Sequence, residues 1–292
     1  MNRGLLYKGG IRLIEIQFHD QKDAMRFLRI LNKQVKFVES VEKMDDVNNW
    51  IVVKTDGSST AVKKCLTAFI LHIKTDDWAR EILQNRYFYL DELEQRSILE
   101  ILHSLIEEER EGLTSLTKDI NIKTCLLESL DNFMVEMHKE FSFDSFVTFR
   151  LKAFFEKLIK YIELSIDEYK MEQEYQVFIH TLRNSLSKKA AKVNHIHVVI
   201  DLEIQFFDTE YREIPQQELM MLYDQRNLAS SHYIDPYSLG PLLALAPKTI
   251  FLYTEDRELP IVRTILNIFE ERVQLLDKEH FFLRINKQTE MK

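Results

Sequence analysis

His195-Ile196-His197, with Asp201 further along the same segment, has residue types that could do chemistry. Alternate residues of a strand point to one face, so an HxH pair can offer two imidazoles to one metal ion, with Asp201 as a third donor. A metal hydrolase built this way needs more His or Asp ligands from other strand ends, and no feature of the sequence identifies them. The plainer expectation is a row of polar residues on the exposed side of an edge strand. Glu100-Ile-Leu-His103 has the spacing that sets two ligands on one helix face. A di-iron bundle needs a second ExxH, which the chain lacks, so His103 is expected half-exposed and unliganded. In FVTFRLKAFFEKLIKYIELSIDEY (146–169), Arg150 sits among Phe146, Phe149, Phe154 and Phe155, and the pair Asp167 and Glu168 follows. A desolvated Arg needs an acidic partner, so an internal ion pair with Glu172 or Glu174 is expected in preference to a ligand contact.

ASSHYIDPYSLGP (229–241) gathers serines, a His and an Asp, but closeness in sequence does not make a triad. It reads as a loop and a short helix with Asp235 as N-cap and Pro236 in first position. No GxxxxGK[ST], GxGxxG or GxSxG occurs, so phosphate-loop, dinucleotide and hydrolase-elbow chemistry lack their defining residues.

The elements that must position these residues follow from the placement of Gly and Pro. All the prolines lie between Pro215 and Pro260, and no glycine occurs between Gly112 and Gly240, which leaves the intervening chain free to form long helices. Three parts are expected: 1–87, 88–192 and 193–292. In the first, IRLIEIQF (11–18), VKFVESV (35–41) and NWIVVKT (49–55) read as strands, with helices from His19-Asp20 onward and over about 59–73. This β-α-β-β-α order opens a ferredoxin-like unit, but no further strand is visible before residue 87.

The second part is helical. Leu93, Ile98, Leu102 and Leu105 or Ile106 form one stripe in 90–110, and a helix over about 117–140 follows. In 146–169, Val147, Leu151, Phe154, Phe155, Leu158, Ile162, Ile166 and Tyr169 recur every three or four residues, the mark of a core helix. In the third part, 195–201, 203–208 and 211–214 read as strands. PKTIFLYTED (247–256), IVRTILNIFEERV (261–273) and HFFLRI (280–285) then give strand, helix and strand, a crossover implying some parallel pairing. The fold class is α+β, a central helical region between an N-terminal β-α-β-β-α part and a small mixed-sheet α/β part.

Apolar residues make up 45% of the 292-residue chain and charged residues 29%, enough for a core. The net charge of −8 argues against general nucleic-acid binding. By part the charge is +4 over 1–87, −7 over 88–190 and −5 over 191–292. Cys65 and Cys125 form no CxxC, so two buried thiols are expected. The N-terminal segment lacks a signal-peptide core and no long apolar run occurs, so a soluble cytoplasmic protein without membrane insertion is expected.

Two blocks carry a family resemblance. FVTFRLKAFFEKLIKYIELSIDEYKMEQEYQVFIHTLR (146–183) resembles the signature of the YtxC-like putative sporulation proteins of endospore-forming bacteria, through Phe149-Arg150-Leu151, Asp167-Glu168-Tyr169, Glu174-Tyr175 and Phe178-Ile179. DPYSLGPLLALAPKTIF (235–251) and NIFEERV (267–273) resemble the family's C-terminal segments. The resemblance implies a sporulation-associated protein with no established reaction. No cofactor is expected, and Phe149, Arg150, Asp167, Glu168, Glu174 and Tyr175 are family-signature positions of unknown role, expected to be structural. The expected mode of action is binding to another protein, as adaptor, regulator or structural part. The alternative is a metal-dependent enzyme using His195, His197 and Asp201.

Overall fold

A computed structural model describes residues 14–34, 38–45, 48–55, 59–107, 121–136, 140–222 and 238–290. The chain forms two compact units, the first ending at Met171 and the second beginning at Glu172. The fold class is α+β, as expected.

In the first unit, β1 (Ile14–Phe18) alternates buried and half-buried residues, as its sequence pattern requires. Helix α1 (Gln21–Gln34) buries Ala24, Phe27, Leu28 and Leu31 on one stripe. Strands β2 (Val38–Asp45) and β3 (Asn48–Thr55) pair antiparallel, and β3 pairs antiparallel with β1. The strand missing from the sequence reading is β4 (Glu140–Ser142), which joins β1 in parallel with Ile16 opposite Phe141. The sheet order is β2-β3-β1-β4. A direct β3-helix-β4 crossover would run β4 parallel to β3 and so antiparallel to β1. Here a long helical excursion intervenes, and β4 enters in the other direction.

That excursion holds α2 (Ser59–Phe69), a π-turn over Ile70–Lys74, α3 (Thr75–Asn85), α4 (Glu92–Ile106) and α5 (Ile122–Glu136). Where a single helix is expected over 59–73, the helix continues through the π-turn, where Thr75 donates both its N–H and its Oγ1 hydroxyl (2.8 Å) to the Ile70 carbonyl. Helix α6 (Phe143–Arg150) and α7 (Lys152–Ser187) replace the single helix expected over 146–169, because Leu151 leaves the helical region at φ −98°, ψ 15°. The predicted stripe of α7 is buried at Leu151, Phe154, Leu158, Ile162 and Ile166. One apolar cluster runs from Ile14 to Ile166, with Phe18, Phe27, Phe69 and Phe143 in mutual ring contact at its centre. Cys65 and Cys125 are buried free thiols within it.

The second unit holds the C-terminal part of α7, then β5 (His195–Ile200) and β6 (Ile204–Phe207). Next come α8 (Gln216–Leu222), α9 (Leu239–Leu245), β7 (Thr249–Tyr253), α10 (Pro260–Phe269), β8 (Val273–Leu276) and α11 (Lys278–Glu290). The sheet order is β6-β5-β7-β8, with β5–β7 and β7–β8 parallel, so the expected crossover is present. Its last strand is Val273–Leu276. HFFLRI (280–285), expected as a strand, lies in α11, because Phe281 and Ile285 share a helix face against the sheet while Phe282 and Leu283 point to solvent. The strand expected over 211–214 reduces to one bridge, Phe207 to Glu213. Asp235 and Pro236 lie outside the described residues.

Period-2 alternation divides the second sheet into two faces. Ile196, Val198, Ile200, Ile250 and Leu252 pack against α7, α9 and α10. His197, Val199, Phe251 and Tyr253 face the other way, toward Phe281 of α11 and Tyr211.

Candidate functional site

The residues singled out for chemistry have structural partners. His195 and His197 do share a strand face, with ring centroids 5.4 Å apart. His197 is buried, sandwiched between Tyr211 (4.2 Å) and Phe251 (5.0 Å), with Nδ1 3.0 Å from the Tyr253 hydroxyl. Its Nε2 has no hydrogen-bond partner among the described residues. Burial, together with the positive charges of His195 and Arg284, pushes its pKa down to about 4, so the ring is neutral. Tyr211 takes a left-handed φ of 60° in a turn closed by the Asp208 carboxylate, which accepts from the N–H groups of Glu210 (2.8 Å) and Arg212 (2.9 Å). Asp201 lies beyond the end of β5, exposed, and its carboxylate is bound by Lys278. The alternative ligand trio is therefore not assembled, and no group of three or more potential metal ligands occurs among the described residues. The plainer expectation of polar residues on an exposed edge strand is corrected as well, because β5 lies between β6 and β7 and His197 is buried.

Glu100 and His103 also part company. Arg96 donates to Glu100 (3.2 Å), and His103 Nε2 lies 2.7 Å from Asp76 Oδ1, which raises its pKa despite partial burial. Arg150 and Phe149 are exposed at the C-terminal end of α6, which corrects the expectation of a partly buried Arg. Helix α6 ends at Arg150, with Leu151 as its C-cap, so Arg150 never joins the apolar stripe of α7. Asp167 and Glu174 are exposed, and Glu168 is half-buried. The Tyr175 hydroxyl accepts from Asn267 Nδ2 (3.2 Å) in the second unit.

The π-turn sets Lys74 and Asp77 against α1. Lys74 binds Asp23 (2.6 Å), and Arg26 binds both Asp77 oxygens (2.5 and 3.2 Å) as well as Asp23. Burial pushes the Asp77 carboxyl up, but the Arg26 bond and the Arg26 and Lys74 charges outweigh it and hold the group below its usual range. The four groups neutralise one another, the pattern of a structural lattice. A pocket of about 350 Å³ opens nearby with an apolar floor of Ala68, Leu71 and Leu127, and Lys63 on its rim is bound by Asp131 (2.5 Å).

The loop between α3 and α4 is different, because it presents large apolar side chains to solvent. Phe88 has φ 59°, a region costly for any bulky residue with a Cβ. The loop is pinned on every side. Arg86 N–H donates to the Ile82 carbonyl (2.9 Å), Tyr89 N–H to that of Leu83 (3.0 Å), and the buried Gln95 side chain to that of Tyr89 (2.8 Å). Asp91 is the α4 N-cap, accepting from the N–H groups of Leu93 and Glu94 (2.8 and 2.9 Å). Tyr87 donates its hydroxyl to Glu163 of α7 (2.6 Å). Tyr89 packs edge-on to Tyr169, whose hydroxyl donates to Glu94 (3.3 Å).

Tyr87 and Tyr89 turn toward α7, and Phe88 and Leu90 turn out. Phe88 is 78%, Leu90 74% and Leu93 74% exposed. The sequence reading placed Leu93 in the buried stripe of α4, which is overturned. Leu93 stands five residues before Ile98, off the three-and-four spacing, and the buried position is Gln95. Asp91 and Glu92 are exposed in this loop, and Asp167 is exposed one turn beyond Glu163. Two neighbouring cations are already paired, Arg86 with Glu163 (3.6 Å) and Arg96 with Glu100. The surface is thus an apolar triad with an acidic rim.

Among the described residues no helix is long and apolar enough to cross a membrane. No solved structure matches the chain. The uncharacterized protein YtxC of Bacillus subtilis (strain 168) is 33% identical over 282 residues, spanning 92% of this chain and 96% of that protein. The YtxC-like family profile matches residues 60–274, which include the pinned loop, α7 and strands β5 to β7 of the second sheet, and on both counts the chain belongs to the YtxC-like family.

Proposed function

We propose that this chain is a sporulation-associated cytoplasmic protein that acts by binding another protein, with no reaction of its own. The sporulation role comes from the resemblance of residues 146–183 and 235–251 to that family's signature. One observation supports binding above the rest: Phe88, Leu90 and Leu93 are exposed on a loop held rigid by hydrogen bonds and by a backbone conformation that a bulky residue adopts only under constraint. A rigid aromatic and aliphatic display loses little entropy when a partner covers it, which is what an interface hot spot requires.

The test is mild cross-linking of the tagged full chain in sporulating cells of an endospore former, with wild type beside the Phe88→Ser, Leu93→Ser double variant. Recovery of one partner that drops at least roughly tenfold with the double variant is expected. Equal recovery with both proteins would remove this surface from the function.

A further inference from the structure

Resting on that reading, we infer that the surface of Phe88, Leu90 and Leu93 receives a basic amphipathic helix, a polypeptide segment with an apolar stripe flanked by Lys or Arg. The argument is complementarity of both kinds. Three apolar side chains from one loop and the first turn of α4 make a short row, and an apolar helix stripe is the common partner for such a row. Beside them Asp91 and Glu92 are exposed carboxylates, and Asp167 is exposed one turn along α7 from Glu163, the partner of Tyr87. Glu92 and Asp167 have no ion-pair partner among the described residues. Of the local cations, Arg86 is drawn to Glu163 and Arg96 to Glu100, so neither neutralises Asp91 or Glu92. Like charge facing this rim would be repelled, so an acidic helix, or a membrane surface of anionic lipid, meets an electrostatic barrier that a basic helix does not. The 88–190 stretch has a net charge of −7, which adds long-range attraction in the same sense.

The experiment uses the full chain and two labelled helical peptides of equal length and equal apolar stripe, one flanked by Lys and the other by Glu, read by fluorescence anisotropy. The Lys peptide is expected to bind wild type and to weaken by about tenfold with Phe88→Ser plus Leu93→Ser, while the Glu peptide does not bind. Glu92→Lys with Asp167→Lys should weaken the Lys peptide by a similar factor and flatten its salt dependence. Glu203→Lys with Glu255→Lys, an equal charge change at exposed positions of the second unit, should leave binding unchanged. If the rim pair and the remote pair weaken binding equally, only net charge is at work and the inference falls. If the Glu peptide also binds through Phe88, the partner class is wrong while the docking surface stands. If the Lys peptide is indifferent to the serine variants, both the inference and the surface it rests on fall. Phe88-dependent binding to anionic vesicles, or Phe88-dependent self-association in sedimentation, would replace the basic helix with a membrane or a second copy and overturn it.

Discussion

His197 and Phe88 show how a side chain's surroundings override its type. An imidazole on a strand suggests a ligand, yet His197 is enclosed by Tyr211, Phe251 and Tyr253 and held neutral. The unfolded chain takes up this proton near pH 6.5, and the folded chain only near pH 4. Between those values the unfolded state binds more protons, so the contribution of His197 is complete above pH 6.5 and is lost as the pH falls to 4, by roughly 3 kcal/mol in all. Urea unfolding at pH 7 and pH 4.5 should therefore show a smaller acid loss for His197→Phe than for wild type, and equal losses would contradict a buried neutral ring. His103 works in the opposite sense, since its bond to Asp76 raises its pKa and its contribution fades as the pH rises. The His-x-His pairing on one strand face was legible in the sequence. The aromatic enclosure was not, because Tyr211 and the β7 pair Phe251 and Tyr253 arrive from two other segments.

Helices and strands were the most legible level, with errors where two periodicities compete. Helix α7 declares itself by a long apolar row, and β5 and β7 by β-branched and aromatic runs between breakers. HFFLRI fits either a strand or a helix over so few residues, and VQLL before it is as good a strand; contact with β7 decided between them. The π-turn at Ile70–Lys74 has no sequence signature, yet it rotates Lys74 and Asp77 onto α1. Removing one member of that lattice leaves buried charge uncompensated. Asp23→Ala, which leaves Lys74 and Arg26 to share the single carboxylate of Asp77, is expected to cost about 3 kcal/mol in chemical denaturation. A loss near zero would mean that solvent screens the lattice.

For the whole molecule, the division by composition and the division by packing follow different physics. Net charge and the strand or helix pattern change near residues 87 and 192, while apolar contact gathers Ile14 through Ile166 into one cluster and forms another around Ile250 and Leu252. Two separate cores predict two cooperative units under hydrogen exchange. Leu66→Ala, at a fully buried site of the first, should lower protection by about 2–5 kcal/mol in that unit and leave β5 and β7 unchanged, and Leu252→Ala should do the reverse. Loss of protection in both units from either variant would mean a single cooperative unit.

By itself, the sequence determined the α+β class, strands β1 to β3 and β5 to β7, most helices, the buried stripe of α7 and the strand face shared by His195 and His197. These rest on local periodicity and on where Gly and Pro interrupt it. Only the tertiary structure decided that β4 completes the first sheet from beyond the helices, that Asp201 pairs with Lys278 and not with the histidines, and that Phe88, Leu90 and Leu93 face solvent. Each of those outcomes depends on segments far apart in the chain competing for the same space, and no local pattern encodes which one wins.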